Sequence, residues 1–177
     1  MLYDNALLLG TYARAWARYR VPLFAAVAEE TVAWLENRMR QPAGLYASAI
    51  DADSPDGEGR FYTWTPEQVR DILPASEADK FLEAYGVTGE GNFEGTTHLR
   101  LHGSMEEREA LANARKRLLE VREGRAAPAT DDKQPVFWNG LAARSLAIAG
   151  TVFDRRKWLE RGREILERCD DARDNEG

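Results

Sequence analysis

Hydrophobic residues near the start of the chain recur at the spacing of an amphipathic helix. In "NALLLGTYARAWARY", Leu9, Tyr12, Trp16 and Tyr19 follow one another at intervals of three and four residues, which places them on one face of a helix. The letters "RVP" at 20–22 then interrupt the pattern, because proline cannot continue a helix and is favoured at the start of the next one. The sequence therefore predicts a helix that ends near Tyr19.

A second run, "LFAAVAEETVAWLENRM", repeats this pattern directly after the interruption. Its apolar face is predicted to carry Phe24, Val27, Thr31 and Trp34 together with Leu35, and "QPAG" ends it. Two helices joined by so short a link predict an antiparallel helical hairpin.

The same pattern returns 134 residues further along the chain. Eight positions of the first hairpin match positions of the second in residue type: Asn5 and Asn139, Leu7 and Leu141, Thr11 and Ser145, Ala13 and Ala147, Ala15 and Ala149, Tyr19 and Phe153, Phe24 and Trp158, Glu30 and Glu164. We interpret them as two copies of one hairpin in a repeated α-helical architecture; chance similarity between two amphipathic hairpins is the alternative. By this offset the equivalent of Gly44 would follow Gly177, so we expect both ends of the chain to be cut.

Between the hairpins the pattern changes to short elements and glycine-rich loops. A small β-hairpin is predicted from residues 45–50 and 60–64, joined by "SPDGEG", followed by a helix over "TPEQVRDIL" with Thr65 as its N-cap. A short helix over 75–85 ends at a glycine, and "GVTGEGNFEGTTHLRL" is predicted to be a loop and then a strand. Ser104 caps a predicted long helix, "SMEEREALANARKRLLEVREG", and "RAAPATDDKQP" is a linker.

Composition narrows the class of protein. The chain has 177 residues, of which 44% are hydrophobic, and a formal net charge of −6. It can therefore bury a core, but it lacks the clustered positive charge that nucleic acids require. No apolar run is long enough to cross a bilayer. Cys169 is the only cysteine, so no internal disulfide forms, and its place in an apolar register predicts a small buried thiol in a cytoplasmic protein.

The acidic stretch "DADSPDGEG" raises the question of a metal site. Asp51 and Asp53 are spaced as in a calcium loop, but the fifth, sixth and twelfth positions of the EF-hand pattern are occupied by Pro55, Asp56 and Tyr62. A looser calcium site through Asp51, Asp53 and Asp56 stays open as an alternative. The two histidines have no evident third ligand, which disfavours zinc. We expect no metal and no cofactor.

Paired carboxylates are the second interpretation of this stretch. Asp51 and Asp53 point to the same side of an extended chain, whereas glycoside hydrolysis needs two carboxyl groups on opposite sides of the bond, roughly 5–9.5 Å apart. One of them would need a partner from another loop, and the candidates are Glu58, Glu94 and either Asp131 or Asp132. The alternative is that Asp51 and Asp53 only cap backbone amides of the turn.

Aromatic side chains stand close in sequence to these acids and to amides, in "RFYTW", "GNFEG" and "DDKQPVFWNG". Saccharides bind by stacking their apolar faces on aromatic rings while carboxylates and amides bind their hydroxyl groups. Five aromatic residues are therefore candidates for a sugar-binding rim, with burial in a core as the alternative: Tyr46, Tyr62, Trp64, Phe93 and Trp138.

Four ordered motifs resemble one known family. "MLYDNALLLGTYARAW", "SAIDADSPDGEGRFYTWTPEQV", "GNFEGTTHL" and "DDKQPVFWNGLAARSLAIAG" are similar to segments of the spermatogenesis-associated, thioredoxin-domain-containing family, and they cover nearly the whole chain. The resemblance implies a thioredoxin-like domain followed by an (α/α)₆ toroid, similar to six-hairpin glycosidases and N-acylglucosamine 2-epimerases. Residues 1–177 would then be a single partial domain, about half of the toroid, without the thioredoxin-like part. Pro135 departs from the family pattern and is expected to change how Lys133 is presented.

The resemblance also implies where a site would lie. Five acids are candidates for catalysis around a central cleft, as a hydrolase or a sugar epimerase: Asp51, Asp53, Glu58, Glu94 and Asp132. Nine residues are candidates for ligand binding: Tyr3, Asp4, Asn5, Tyr62, Trp64, Asn92, Lys133, Trp138 and Asn139. Because epimerases usually rely on histidine and neither histidine lies in a rim motif, epimerisation is disfavoured.

Function therefore divides into two hypotheses. The first is a carbohydrate-binding or carbohydrate-active toroid domain, inactive as this piece, with a saccharide as its ligand. The second is a non-catalytic scaffold that binds a partner beside a thioredoxin-like domain. Half a toroid leaves apolar helix faces uncovered, so we also expect self-association, and neither nucleic acid nor membrane as a partner.

Overall fold

The computed structural model describes residues 1–174, with side chains to residue 171. Its helices are α1 (Leu2–Tyr19), α2 (Pro22–Trp34) with a π-helical turn at Leu35–Met39, α3 (Pro66–Ile72), α4 (Ala75–Tyr85), α5 (Met105–Ala110), α6 (Ala112–Glu123), α7 (Val136–Val152) and α8 (Arg156–Asp174). Its strands are β1 (Ala49–Ile50), β2 (Asp53–Ser54), β3 (Gly57–Glu58) and β4 (Thr130–Asp131). The predicted mainly α fold built of helical hairpins is confirmed. No helix among the described residues combines the length and apolar character needed to cross a bilayer.

The chain divides into two compact units. The first unit comprises Met1–Ile50 and the chain from Thr130 onward, and the second unit comprises Asp51–Ala129. Each has its own hydrophobic core. The expectation of a single partial domain stays a prediction.

The first unit contains two helix pairs that correspond to one another. Three landmarks of α1 and α2 recur 134 residues later, namely the start of the first helix, the left-handed residue of the turn and the start of the second helix: Leu2 and Val136, Arg20 and Asp154, Pro22 and Arg156. The predicted repeat of one helical hairpin is therefore found in the structure. The expected glycine beyond Gly177 lies outside the described residues.

The first helices of the two pairs, α1 and α7, lie side by side and run in the same direction. Tyr3 contacts Trp138 near their N-terminal ends, with ring centroids 4.9 Å apart, and Trp16 stacks on Phe153 near their C-terminal ends. Between these contacts the helices approach so closely that a Cβ atom on Gly10 would lie 2.9 Å from the Ser145 hydroxyl. Small residues at this joint allow the two backbones to meet.

The buried stripe of α1 differs from the predicted one. Leu9 is buried, but Tyr19 is 66% exposed, so the predicted aromatic face is wrong at its end. The helix instead buries small and aliphatic residues that suit the close approach of α7, namely Leu2, Ala6, Leu9 and Ala13. Along α2 and the π-helical turn the buried positions are Ala28, Val32, Leu35 and Met39. Leu35 was predicted, whereas the other predicted positions are only partly buried, namely Phe24, Val27, Thr31 and Trp34.

A buried asparagine joins the second helix pair to the loop that follows the first. The Asn139 side chain is fully buried. Its carbonyl oxygen accepts a hydrogen bond from the Tyr46 backbone N–H at 2.8 Å, and its amide nitrogen donates to the Tyr46 carbonyl at 3.0 Å. Both backbone groups of Tyr46 are thereby satisfied by one side chain, which fixes residues 44–48 against the start of α7.

The second unit carries the small hairpin predicted within residues 45–64, with different strands. The hairpin pairs β2 with β3, Asp53 opposite Glu58, whereas the predicted pairing of 45–50 with 60–64 is wrong. In the first unit β1 pairs instead with β4, so part of the predicted linker is a strand. Directly after the two-residue turn of the β2–β3 hairpin, Gly57 begins β3 with a positive φ of 113°, which glycine adopts without strain.

The helices of the second unit agree with the sequence apart from one break. Thr65 and Ser104 each form a capping box, and α4 ends at Gly86 in the left-handed conformation, as predicted. The long helix after Ser104 is interrupted at Leu111, whose side chain is buried in the core of this unit. The predicted strand at the end of "GVTGEGNFEGTTHLRL" is wrong, because only isolated bridges occur there.

The two hydrogen bonds between Asn139 and Tyr46 lead to a prediction about the stability of the fold. Replacing Asn139 by alanine leaves two buried backbone groups without partners, and we expect a loss of about 2–4 kcal/mol in the free energy of unfolding. The repeat counterpart Asn5 donates only to the Met1 carbonyl, at 2.9 Å, and Asn5→Ala is expected to cost less than about 1 kcal/mol. Urea unfolding followed by tryptophan fluorescence measures both, since four of the five tryptophans lie in the first unit. Equal losses in the two variants would contradict the assignment.

Candidate functional site

The N-terminal ends of α1 and α7 form a rim on the first unit. We define this rim as Tyr3, Ser48, Asp131, Lys133 and Trp138. The Ser48 carbonyl accepts a hydrogen bond from the Leu2 N–H at 2.8 Å, and the Ser48 N–H and hydroxyl both donate to the Asp131 carbonyl, at 3.1 and 3.0 Å. The chain between the helix pairs is thus anchored next to the Tyr3 and Trp138 rings.

The rim carries one pair of aromatic rings and one ion pair. Tyr3 and Trp138 are partly exposed and meet edge to face at 60°. The Lys133 ammonium lies 3.3 Å from the Asp131 carboxylate. The pKa of the Asp131 carboxyl is lowered, chiefly by the nearby Ser48 hydroxyl and further by Lys133, so this group carries a negative charge at neutral pH.

The other candidates of the first unit occupy different environments. Asp132 and Asp4 are exposed close to the rim in sequence. Asn139, predicted as a ligand-binding residue, is buried and bonded to Tyr46, and Asn5 is partly buried and bonded to Met1. The rim therefore presents Tyr3, Trp138 and charged groups rather than the two asparagines.

A buried ionic network lies beneath the same loop. Glu36 stands in the π-helical turn, and one of its carboxylate oxygens accepts hydrogen bonds from the Tyr46 hydroxyl and, at 2.9 Å, from Arg161 Nε. Arg161 is only 7% exposed and also donates to the carbonyl of Gly44 at 2.8 Å. The network ties α2, the 44–48 loop and α8 together.

Burial and the interactions within the network act in opposite directions on the pKa values of Glu36 and Arg161. Burial acts to raise the pKa of Glu36, but hydrogen bonds from Tyr46 and Arg161 outweigh it and hold that pKa below its usual range. Burial, reinforced by Glu36, raises the pKa of Tyr46 above its ordinary value. Burial acts to lower the pKa of Arg161, but Tyr46 and Glu36 raise it overall. At neutral pH the network therefore holds an ionised carboxylate, a guanidinium and a neutral phenol.

The acids predicted for catalysis in the second unit lie on the β2–β3 hairpin and on one neighbouring loop. Asp51 accepts a hydrogen bond from the Asp53 N–H at 3.2 Å, which is the turn-capping role weighed above. Asp53 and Glu58 are exposed and directly opposite each other across the two strands. The Glu94 carboxylate lies 4.0 Å from the guanidinium of Arg60, two residues after β3.

Most of the ligand-binding candidates of the second unit form contacts with other residues of that unit. Trp64 is 2% exposed, and the Arg125 guanidinium lies 3.9 Å from the centre of its ring. Asn92 accepts from the His98 N–H at 2.9 Å and donates to the His98 carbonyl at 3.0 Å. Tyr62 is the partly exposed aromatic residue of this group. Trp64 and Asn92 thus have structural partners.

The candidate residues consequently form two sets, one in each unit. Tyr3, Asp4 and Asn5 belong to the first unit with residues 132–139, and residues 51–94 belong to the second. Their convergence on one cleft stays a prediction. In the part of the chain that the structure describes, no three His, Cys, Asp or Glu side chains are grouped as a metal site would require.

Three residues that anchor these parts of the chain were not among the residues predicted from the sequence. Arg161 falls in the apolar register of α8 between Trp158 and Ile165, and a charged residue at such a position indicates a buried ion pair. Glu36 and Arg125 had no comparable signal. Arg125 donates to three backbone carbonyls of residues 60–63, a contact that depends on distant loop geometry.

Together, the fold and the rim define a helical-hairpin repeat protein, and comparison with known proteins identifies its relatives. The chain is 26% identical over 196 aligned positions to spermatogenesis-associated protein 20 of Homo sapiens and 28% identical over 194 positions to that of Rattus norvegicus. These matches cover 90% and 89% of this chain. The predicted resemblance to the spermatogenesis-associated family is thereby confirmed.

The remaining comparisons give less information about the relatives of this chain. The chain spans about a quarter of the length of these curated relatives. No family model matches it. A crystal structure of D-mannose isomerase is matched over 94% of this chain and 39% of that one, with 14% identity and a TM-score of 0.31, a likeness too weak to support an argument about fold or function.

The network around Glu36 predicts a specific dependence of stability on pH. A carboxyl whose pKa is lowered by folding stabilises the fold above its unfolded pKa, and this contribution is lost as pH falls through the folded pKa. We expect Glu36→Gln to unfold more easily than the wild type at pH 7, and the difference to shrink as pH falls below about 4. Urea unfolding at a series of pH values measures this difference.

Glu164 provides the matched control for this experiment. It contacts the same guanidinium at 3.3 Å, but its side chain is 56% exposed. Glu164→Gln is therefore expected to change stability little at any pH. A pH-independent effect of Glu36→Gln would show that the charge of Glu36 does not contribute.

Proposed function

We propose that the chain forms part of a carbohydrate-binding domain, with the rim of the first unit as a saccharide contact surface. The observation that carries this proposal is the edge-to-face pair of Tyr3 and Trp138, held beside Asp131 and Lys133 at the N-terminal ends of two parallel helices. The (α/α)₆ toroid implied by the family resemblance is part of the same proposal, because helical hairpins of this kind are its building blocks.

The chemistry of the rim suits a saccharide. The C–H face of a sugar ring packs on aromatic rings, and its hydroxyl groups accept from an ammonium and donate to a carboxylate. The first N–H groups of α1 and α7 have no side-chain cap, and apart from that of Leu2, which donates to the Ser48 carbonyl, they add donors at the same end. Because the 44–48 loop is fixed by Asn139 and Arg161, the ligand need not order it on binding.

A more specific version of this proposal is that the domain also catalyses a reaction on the saccharide. The candidate acids are Asp51, Asp53, Glu58, Glu94 and Asp132, acting as general acid and base on a glycosidic bond. Side chains directly opposite in a hairpin have Cβ atoms about 4.5–5.5 Å apart and lie on one face, so Asp53 and Glu58 stand side by side rather than across a bond. A hydrolytic pair would therefore combine one of them with an acid from another segment.

The second candidate function is a non-catalytic scaffold that binds a partner, beside the thioredoxin-like domain that the resemblance implies. It is favoured by the use of Trp64, Asn92 and Asn139 in contacts within the chain. The same binding experiment distinguishes the two functions.

Saccharide binding is tested by saturation-transfer NMR with a panel of hexoses, N-acetylhexosamines and short oligosaccharides. We expect binding by the wild type and a loss of affinity of about tenfold in Trp138→Ala, which corresponds to about 1.4 kcal/mol and is the scale of one aromatic contact. Trp16→Ala is the matched control, because Trp16 pairs with Phe153 at the opposite ends of the same helices. It is expected to leave affinity unchanged.

Three outcomes count against parts of the proposal. If no saccharide of the panel binds, the scaffold function replaces it. Equal loss of binding in Trp138→Ala and Trp16→Ala shows that the rim is not the contact surface. For catalysis, hydrolysis of aryl glycosides is measured with the wild type and with Asp51→Asn and Asp53→Asn, and activity unaffected by both changes excludes these two acids.

A further inference from the structure

Two arginines at the C-terminal end of α6 lie over aromatic rings of the second unit. The central carbon of the Arg125 guanidinium is 3.9 Å from the centre of the Trp64 ring. That of Arg122 is 5.4 Å from the ring centre of Phe61 and 5.6 Å from that of Tyr62. Because aromatic faces attract cations, both guanidinium groups are held next to residues 61–64.

Arg125 is anchored through one of its nitrogen atoms. Its Nη1 atom donates to the carbonyls of Arg60, Phe61 and Thr63 at 3.1, 3.1 and 2.8 Å. Among the described residues its Nε and Nη2 atoms have no hydrogen-bond partner, and they are open to solvent, since the buried atoms without a partner belong to other residues. The Nε–Nη2 edge is a planar fork that matches two oxygens of an oxyanion.

Arg122 brings a second positive charge close to this fork. Burial lowers the pKa of Arg125, and Arg122 lowers it further, so the two guanidinium groups are near enough to repel each other. Two carboxylates oppose these charges. Asp56 is exposed and acts to raise the pKa of Arg125, and Glu123 meets Arg122 at 3.5 Å in a partly exposed pair, which is a weak interaction.

We propose that Arg125 and Arg122 bind a phosphate group beside Tyr62, with the open edge of Arg125 holding two of its oxygens and Arg122 contributing the second positive charge. One guanidinium already satisfies both oxygens of a carboxylate. A phosphate monoester has three acceptor oxygens and a charge of about −1.5 to −2 at pH 7, so two guanidinium groups favour phosphate. This site lies in the second unit and does not depend on the saccharide rim.

Phosphate binding is measured by titration in proton–nitrogen correlation spectra, with the Nε–H signal of Arg125 as the direct readout. The probes are inorganic phosphate, glucose 6-phosphate and acetate, all at one ionic strength because salt screens exposed charges. We expect a saturable shift with both phosphates and much weaker binding of acetate. Equal affinity for the two phosphates identifies the free ion as the ligand, and tighter binding of the ester identifies a phosphorylated small molecule that also contacts Tyr62.

Three substitutions test the assignment of the residues. Arg122→Gln is expected to weaken phosphate binding about tenfold, the scale of one charged hydrogen bond. Asp56→Asn removes a competing carboxylate from the exposed turn of the β2–β3 hairpin and is expected to tighten binding about two- to fivefold. Arg117→Gln is the matched control, because it removes one positive charge from the same helix but Arg117 pairs with Glu77 at 3.6 Å. It is expected to leave affinity unchanged.

The absence of a saturable shift with either phosphate overturns the proposal. So does acetate that binds as tightly as phosphate, or an equal loss of affinity in Arg122→Gln and Arg117→Gln, which indicates attraction by overall charge. Circular dichroism establishes that each variant is folded. If Arg122→Gln does not fold, Asp56→Asn decides the question, since an affinity that fails to rise in that variant contradicts the placement of the anion at Arg125.

Discussion

The Asn139 side chain satisfies both backbone groups of Tyr46 in a fully buried position, and the arrangement of the rim follows from this contact. The loop that leaves the first helix pair is held at the start of the second pair, where Ser48 is anchored to Leu2 and to Asp131. On the other side of the loop the partly buried Glu36 binds Tyr46, and the buried Arg161 binds Gly44. Because an unpaired buried amide is costly, the two helix pairs and the loop adopt one arrangement, with Tyr3 and Trp138 in contact at its edge.

Helix positions were predictable here because their signals are local. Spacing of apolar residues, Pro22 and the cap at Thr65 mark boundaries that the structure reproduces, and the recurrence of whole hairpins identified the repeat. Pairing of short strands was not predictable in this way, since β1 joins β4 across 80 residues of sequence. The break at Leu111 depends on burial in a core, and local helix propensity gives no sign of it.

The residue types of the candidate site could be predicted from the sequence, but their positions in space could not. Tyr3 and Trp138 do contact each other, whereas Trp64 packs on Arg125 and the amides of Asn92 and Asn139 bind backbone groups. The sequence does not distinguish an asparagine that binds a ligand from one that binds a backbone loop, because its amide forms the same hydrogen bonds in both cases. The same holds for an aromatic ring that packs on a ligand or in a core. Arg161 is the exception, as a charge in an apolar register indicates its buried partner. Repeat proteins commonly place variable binding residues on such a fixed framework.

Hydrogen exchange at the Tyr46 backbone amide tests the central claim most directly. If Asn139 holds the loop, this N–H opens only when the two helix pairs separate, and its protection equals that of the core amides of α7. Protection is then lost selectively in Asn139→Ala while the α7 amides remain slow. Exchange of the wild-type Tyr46 amide at the rate of exposed loop amides would contradict the account.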